Sequence, residues 1–339
     1  MTVGAPLRIA AAFLFVALGV RGEDLLQELS RRSATEGFAL IYWHGHPVQI
    51  LTFDGVSQLP WRTQFITSQP TPHTPYLSSA WFNSTGDAVA WSHTDFGSRS
   101  LSCPNPLIVE SPNGTSWQIP GSAINIPALG VSRLAFDGTY KPPGSGSLNI
   151  AENRSRWLNG LFYANSETNE VTRISQPCGT TSISWSADGG SFTYDCQGEV
   201  RIYDVHAAKS RVLATGDTPS WSPDGRWIAY RAHRRALAVE LTTMKTTSLF
   251  DGRTIEWGIH WSPDSRYVMA SQQVGLFEEI IHGAFDPMSD ALRKVLLYRL
   301  EDGAISDRLW LPMYAQNDRG FFWITNYQAF LKGRCFRPM

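Results

Sequence analysis

Residues that could bind a metal ion are present in the sequence, but their spacing does not complete a site. His44 and His46 flank a single glycine, so in an extended segment both would project to one side, as half of a metal site requires. We favour a turn with polar histidines at its rim. Glu278, Glu279 and His282 would share one face of a helix, yet this Glu-x-x-x-His spacing lacks the second histidine of zinc motifs. We therefore predict a solvated helix face there, and neither a metal ligand nor a cofactor.

Catalytic nucleophiles are also hard to find in this chain. A serine hydrolase of the α/β class needs a Gly-x-Ser-x-Gly elbow between a strand and a helix. The Gly-Ser run at residues 144–147 follows two prolines and is predicted to be a loop instead. No glycine-rich phosphate loop and no Walker-type lysine is present. The sequence thus indicates no catalytic residue, and a binding role is expected rather than an enzymatic one.

Three aspartates recur in a way that suggests a calcium site or a catalytic carboxylate: Asp188, Asp224 and Asp264. Each lies three residues after a tryptophan, inside a Ser-x-Asp sequence. An aspartate in such a turn accepts hydrogen bonds from nearby backbone N–H groups and so fixes a hairpin. We therefore predict a structural role for the aspartates. The tryptophans are assigned to the core between repeats: Trp185, Trp221 and Trp261.

The same turns belong to a repeated strand–turn–strand unit. Its best copies are residues 184–194, 220–230 and 260–270, and residues 81–91 form a fourth. The residues after each turn alternate in polarity or run apolar, which is typical of buried strands. A third strand follows each hairpin, as at residues 200–204, and a polar turn then leads to a fourth. Four antiparallel strands repeated every roughly 36 to 60 residues predict an all-β fold, a β-propeller.

The aromatic residue of each first strand indicates the number of blades. Six starts can be marked: Phe82, Phe136, Trp185, Trp221, Trp261 and Trp323. Strands predicted at residues 38–43, 47–53 and 63–67 have no such motif before them. We expect the strand near Trp323 to pair in one blade with residues near Ile41 or Ile50, which closes the ring and removes exposed sheet edges. Six four-stranded blades are predicted, with five or seven as alternatives.

The string Trp-Ser-Pro-Asp-Gly-Arg-Trp-Ile-Ala-Tyr at residues 221–230 resembles the repeat of TolB-like, WD-repeat-like propellers. The three repeats that begin with tryptophan match it most closely. The resemblance implies a propeller similar to the partner-binding propeller of the periplasmic Tol system and to the non-catalytic propellers of prolyl-oligopeptidase-like peptidases. It does not fix a function, because one fold carries many unrelated sites.

The N-terminus predicts export. Arg8 precedes an apolar run at residues 9–20, which is shorter than the roughly 20 residues that cross a bilayer, so residues 1–22 are interpreted as a signal peptide. Residues 23–37 are then a short leader and residues 38–339 the propeller domain. We expect a periplasmic or secreted protein with no transmembrane segment after signal removal. The net charge of -1 gives no reason to expect nucleic-acid binding.

Four cysteines fit an oxidising compartment: Cys103, Cys178, Cys196 and Cys335. No C-x-x-C spacing occurs among them, so neither a zinc knuckle nor a redox pair is indicated. Four cysteines allow three pairings, and the sequence alone does not choose between them. The register of the repeats favours Cys178–Cys196 across a hairpin and Cys103–Cys335 between neighbouring blades.

Two surface features are candidate binding elements. A basic hairpin tip between the second and third strands of one blade carries Arg231, His233, Arg234 and Arg235. An insertion at residues 272–294 starts at the corresponding point of the next blade and carries Phe277, Ile280 and Phe285. Equivalent loops of adjacent blades emerge on one rim, so we expect the two features to be neighbours and to form an interface. The alternatives are a solvated tip, a helix packed over the blade edge, and neutralisation of the arginines by Glu278 and Glu279.

These patterns favour an exported, non-enzymatic propeller that binds a protein or a cell-envelope ligand. One alternative is an enzyme, such as a lyase or hydrolase acting on sugars or lactones, that uses the central mouth of the propeller. Such sites gather several His, Asp or Glu side chains on inner strands, whereas these inner strands offer Trp, Ser and Pro, with His260 as an exception. A further alternative is a scaffold that assembles a larger complex.

Overall fold

The computed structural model describes one helix, α1, at residues 25–33 and 35–36, together with β-strands and some of their connections. In chain order the strands are β1 (Ala39–Tyr42), β2 (Gln49–Phe53), β3 (Trp61–Phe65), β4 (Tyr76–Phe82), β5 (Val89–Thr94), β6 (Leu107–Glu110), β7 (Ser116–Ile119), β8 (Ala123–Leu129), β9 (Arg133–Tyr140), β10 (Leu158–Asn165), β11 (Glu170–Ser175), β12 (Ile183–Trp185), β13 (Ser191–Cys196), β14 (Glu199–Asp204), β15 (Lys209–Thr215), β16 (Asp217–Trp221), β17 (Trp227–Ala232), β18 (Arg235–Glu240), β19 (Thr246–Ser248), β20 (Ile255–Trp261), β21 (Tyr267–Gln272), β22 (Leu292–Arg299), β23 (Ile305–Pro312) and β24 (Phe321–Ile324). Besides α1 and these strands, the described residues include the connections within 167–250, 252–272 and 292–312.

The described strands form six antiparallel sheets of four strands each. Five sheets use strands that are consecutive in sequence, β4–β7, β8–β11, β12–β15, β16–β19 and β20–β23, and the sixth has the order β24-β1-β2-β3. The first strands of successive sheets contact one another in the order β4, β8, β12, β16, β20 and β24. First strands gathered at the centre, with the sheets extending outward from them, are the arrangement of a β-propeller, as the repeats predict.

The two chain ends pair within one sheet, which we call the closing sheet. β1 runs antiparallel to β24, with Leu40 opposite Trp323 and Ile41 opposite Phe322. The other edge of β1 pairs with β2, where Ile41 lies opposite Ile50. The predicted closure by a strand near Trp323 is therefore confirmed. The pairing hides two strand edges that an open array would expose.

The predicted start of the second blade is wrong. Phe136 lies in β9, the second strand of its sheet, and the first strand is β8. β8 contains Pro127 and no aromatic residue, so the strand–turn motif does not mark it. Phe136 is fully buried for another reason, because its ring stacks on that of Phe162 in β10, with the ring centroids 5.2 Å apart.

The recurring aspartates have the structural role that the sequence predicts. In the β16–β17 turn, the hydroxyl of Ser222 donates to Asp224 (2.6 Å), and the N–H of Arg226 donates to the same carboxylate oxygen (3.0 Å). The Ser222 hydroxyl oxygen also accepts a bond from the N–H of Trp227 at 2.9 Å. Equivalent serine–aspartate bonds occur in the β12–β13 and β20–β21 turns. Each carboxylate is thus engaged in its own turn.

The tryptophans of the repeats lie in the core, as predicted. Trp185, Trp221 and Trp261 are all buried at the ends of first strands. The indole N–H of Trp261 donates to the carbonyl of Ser220 at 3.0 Å and so links β20 to β16. Apolar burial between sheets, with bonds of this kind, fixes the sheets relative to one another.

Candidate binding surface

The basic stretch forms the tip of the β17–β18 hairpin, at the position that the sequence predicts. Ala232 pairs with Arg235, so His233 and Arg234 are the two residues of the loop. Their φ angles are +48° and +64°, in the left-handed region that a type I′ hairpin loop requires at both central positions. His233, Arg234 and Arg235 are exposed, whereas Ala236 is buried. These three exposed side chains, which we call the basic tip, project from the rim of the propeller.

Contacts with neighbouring strands hold the hairpin below the basic tip. The N–H of Ile255, the first residue of β20, donates to the carbonyl of Arg234 at 2.7 Å. Arg231 binds both carboxylate oxygens of Asp217 in β16, through Nε at 2.7 Å and Nη2 at 2.9 Å. Its Nη1 donates to the carbonyl of Glu256 in β20. Arg231 therefore ties the hairpin to two first strands, unlike the exposed residues that follow it.

The hairpin of the preceding sheet provides a reference for this loop. There β13 and β14 are joined by Gln197 and Gly198, which also have positive φ angles, +53° and +78°. The carbonyl of Gly198 accepts a bond from the N–H of Gly216 at 2.8 Å, just as that of Arg234 does from Ile255. The two loops therefore share their backbone link to the next sheet. Their sequences differ at both loop positions, and the second position holds glycine in one loop and arginine in the other.

A disulfide braces the preceding hairpin. Cys196, the last residue of β13, is bonded to Cys178, and their Cα atoms are 5.1 Å apart. The N–H of Gln197 donates to the carbonyl of Cys178 at 3.2 Å, so the loop and the disulfide support each other. The predicted Cys178–Cys196 bond is confirmed. Cys103 and Cys335 lie outside the described residues.

The insertion at residues 272–294 begins beside the basic tip. Gln272 ends β21 and pairs with Ile255, whose N–H is bonded to Arg234. Ile255 thus lies between Gln272, where the insertion begins, and the basic tip. The remaining candidates of the insertion lie outside the described residues: Phe277, Ile280 and Phe285, with Glu278, Glu279 and His282. His44 and His46 lie outside them as well.

The first strands offer no cluster of catalytic or metal-binding groups in the part of the chain that the structure describes. No group of three His, Cys, Asp or Glu side chains that could hold a metal ion occurs there. The Nε2 atom of His260 in β20 is buried, and burial lowers the pKa of His260 to about 4. Its imidazole is therefore neutral near pH 7.

Asp195 is a buried acid that no sequence motif marked. Its carboxylate accepts bonds of 2.8 Å from the N–H groups of Thr181 and Ser182 and from the Thr181 hydroxyl. Burial raises the pKa of Asp195, and these bonds oppose that effect. In the aligned repeats Asp195 stands where Arg231 stands one sheet later, and both side chains reach back to the start of a first strand. Aligning the repeats in the sequence would therefore have shown that Asp195 and Arg231 occupy equivalent positions.

Comparison with known proteins gives similarity of fold. No protein-family model and no curated protein sequence matches the chain. TolB from Acinetobacter baumannii matches with a TM-score of 0.52 and 12% identity, over 84% of this chain and 66% of that protein. A putative TolB from Agrobacterium tumefaciens matches with a TM-score of 0.50 and 15% identity, over 84% of this chain and 96% of that protein.

Within the part of the chain that the structure describes, no helix has the length and apolar character that crossing a bilayer requires. The sheet order, the closure between the chain ends and the two structural matches agree with one another. This chain is a β-propeller whose fold is similar to that of TolB proteins.

Proposed function

We propose that this chain is an exported, non-enzymatic propeller that binds an acidic protein or cell-envelope ligand through the basic tip. The proposal rests on the loop of His233 and Arg234, which has a left-handed backbone and exposes an imidazole and a guanidinium side chain. Among the described residues, the side chains of His233, Arg234 and Arg235 have no carboxylate within ion-pair distance. Within the described residues, the two guanidinium groups therefore have no intramolecular counter-ion, and an anionic partner would supply one.

The conformation of this loop is unfavourable for the residues that occupy it. A residue with a Cβ atom costs about 1–2 kcal/mol in the left-handed region, a cost that glycine avoids. The preceding hairpin uses Gly198 at the second loop position and keeps the same backbone link to the next sheet. The loop geometry is thus available without Arg234. Unfavourable backbone conformations are common at binding sites, where they hold side chains in the orientation that a ligand needs.

The shape and charge of the basic tip indicate the kind of ligand. Small molecules bind in concave pockets that cover most of their surface, and a two-residue hairpin loop is convex. A macromolecular surface fits the tip better, because it can surround the loop. Guanidinium groups bind carboxylates and phosphates through paired hydrogen bonds, so the complementary surface is anionic.

Export is the second part of the proposal. The order of Arg8, an apolar run and small residues before Glu23 is that of a signal peptide. The Cys178–Cys196 disulfide is of a kind that persists in oxidising compartments. Both features support a periplasmic or secreted location.

The binding proposal is tested with an Arg234→Ala/Arg235→Ala variant. Immobilised wild-type protein and variant are incubated with cell-envelope extract, and the retained components are quantified by mass spectrometry. The matched control is Lys209→Ala/Arg211→Ala, which removes two exposed positive charges from β15 on another edge of the molecule. We expect the tip variant to lose components that the wild-type protein and the control both retain, with unchanged thermal melting. Full retention by the tip variant, or equal loss in both variants, contradicts the proposal.

A further inference from the structure

Helix α1 contacts a different sheet from the one that contains the strand following it in the chain. α1 ends just before β1, which is part of the closing sheet, yet its side chains contact the neighbouring sheet β20–β23. Leu25 and Leu29, one helical turn apart, are fully buried, and so is Tyr267, the first residue of β21. The helix is thus docked through an apolar face on the propeller.

Glu28 forms the first polar contact of this docked helix. It accepts a 2.6 Å bond from the Tyr267 hydroxyl and a 2.5 Å bond from Nη1 of Arg299. Arg266 lies 3.6 Å from the same carboxylate. Burial alone would raise the pKa of Glu28, but the bonds from Tyr267 and Arg299 outweigh it, so the pKa is lowered. The carboxylate is therefore ionised at neutral pH and binds the ends of β21 and β22.

Arg32, one helical turn further, forms the second polar contact. Its Nη1 donates to Oδ2 of Asp264 in the β20–β21 turn at 2.6 Å, and its guanidinium lies 5.6 Å from the centroid of the Tyr267 ring. Glu36 binds Arg32 from within the helix at 2.7 Å and holds the side chain in position. Asp264 thus accepts two bonds within its own turn, from the Ser262 hydroxyl and the Arg266 N–H, and one from α1.

Elsewhere in the described part of the ring, two such turns are hydrogen-bonded to a neighbouring sheet. The N–H of Asp224 donates to the Ser265 hydroxyl at 2.8 Å, which links the β16–β17 and β20–β21 turns. Nη1 of Arg133, at the start of β9, donates to the carbonyl of Gly189 in the β12–β13 turn at 2.8 Å. After β20–β23 comes the closing sheet, where β24 and β1 come from opposite ends of the chain. Because β24 and β1 are not joined by a hairpin turn, the closing sheet has no such turn to contact Asp264. Arg32 of α1 contacts Asp264 instead.

We propose that α1 is a clasp that holds the ring closed. By linking β1 to β21 and β22 through Glu28 and to the β20–β21 turn through Arg32, it keeps β1 in register with β24, so this pairing depends on the docked helix. In the other sheets the first and second strands are consecutive in the chain, whereas β24 and β1 are held together by non-covalent contacts. Release of α1 is then the step that precedes separation of the chain ends, a local opening that costs less free energy than global unfolding.

Hydrogen–deuterium exchange with mass spectrometry tests the clasp in the full mature chain. Glu28→Ala/Arg32→Ala removes both polar contacts. The matched control is Gln27→Ala/Arg31→Ala, which changes two exposed residues of the same helix. We expect exchange of the β1 and β24 amides to rise by about tenfold or more in the clasp variant, with little change in β13 and β14 and none in the control.

Two results would overturn the clasp. One is faster exchange in α1 with unchanged exchange in β1 and β24, which means that the helix is docked without holding the ring. The other is an equal rise in all sheets, which means that α1 stabilises the protein as a whole. If the double variant does not fold, Tyr267→Phe decides, because it removes a single hydroxyl that donates to Glu28. A smaller rise confined to the same two strands is then expected, and its absence rejects the proposal.

Discussion

Replacing the two loop residues of the basic tip by those of the preceding hairpin tests the contributions of this loop to stability and to binding separately. The variant His233→Gln/Arg234→Gly reproduces the Gln197–Gly198 loop, whose φ angles and link to the next sheet are nearly the same. Removing the Cβ atom at position 234 relieves about 1–2 kcal/mol of left-handed strain, and the greater freedom of glycine in the unfolded chain cancels about 0.5–1 kcal/mol of this gain. Glutamine keeps a Cβ atom, so position 233 changes little. We expect the free energy of unfolding to rise by about 0.5–1 kcal/mol.

Urea unfolding and thermal melting measure this gain, which corresponds to about 1–4 °C in melting temperature for a domain of this size. The same variant should lose binding of envelope components, because it removes the histidine and one arginine. Arg235→Ala is the control, since it removes a charge next to the loop without changing either loop residue, and it should weaken binding without any gain in stability. A loss of stability in the grafted variant would show that His233 or Arg234 makes stabilising contacts, and would refute the strain argument.

Four further predictions concern individual side chains and disulfides. The pKa of His260 in the folded protein, about 4, lies below its usual value of 6.5. The free energy of unfolding should therefore fall by up to about 3 kcal/mol as pH drops from 6.5 towards 4, because the unfolded chain binds the proton more tightly. In urea unfolding, a His260→Gln variant should lack this part of the pH dependence. Replacing Cys178 and Cys196 by serine should cost about 2–4 kcal/mol in urea unfolding. In the wild type, non-reducing peptide mapping should find Cys103 joined to Cys335, whereas a Cys103–Cys178 link would contradict that pairing. Arg231→Met should cost about 1–3 kcal/mol, against little change for Arg211→Met, because Arg231 has two charged hydrogen bonds to Asp217.

The repeated turns made most of this fold predictable. Serine and aspartate at fixed offsets form the same local bonds in each turn, so their spacing reports local geometry that distant contacts do not change. The basic hairpin tip was predictable for the same reason, because it lies at a fixed distance from the turn. β8 was missed because its sheet begins without this motif, and Phe136 carries the aromatic signal one strand later.

Helix α1 could not be predicted with the same ease. Leu25 and Leu29 have helical spacing, as do Glu28 and Arg32, but a helix of about a dozen residues is marginal without tertiary contacts. Those contacts come from Tyr267, more than two hundred residues away in the chain. The partners of Glu28 and Arg32 depend on how the ring closes, and local sequence carries no information about that.

Gly216 connects the preceding hairpin to the basic tip, and its replacement tests whether the rim behaves as one unit. Its N–H donates to Gly198, and a Cβ atom at this position would collide with the carbonyl oxygen of Arg231 and lie 2.9 Å from the Tyr230 ring. Because backbone cannot move aside as a flexible side chain can, Gly216→Ala should cost about 1–3 kcal/mol and displace the strand that leads to the tip.

The matched variant is Gly252→Ala, which also has a positive φ angle, +73°, but has open space around the added methyl group. It should cost about 1 kcal/mol from backbone strain alone and leave binding of envelope components unchanged. Gly216→Ala should cost more in urea unfolding and also weaken that binding, since Arg231 positions the hairpin below the basic tip. Equal losses of stability in the two variants would mean that the strands relax around the methyl group, and the rim would then be more deformable than its bonds to neighbouring sheets imply.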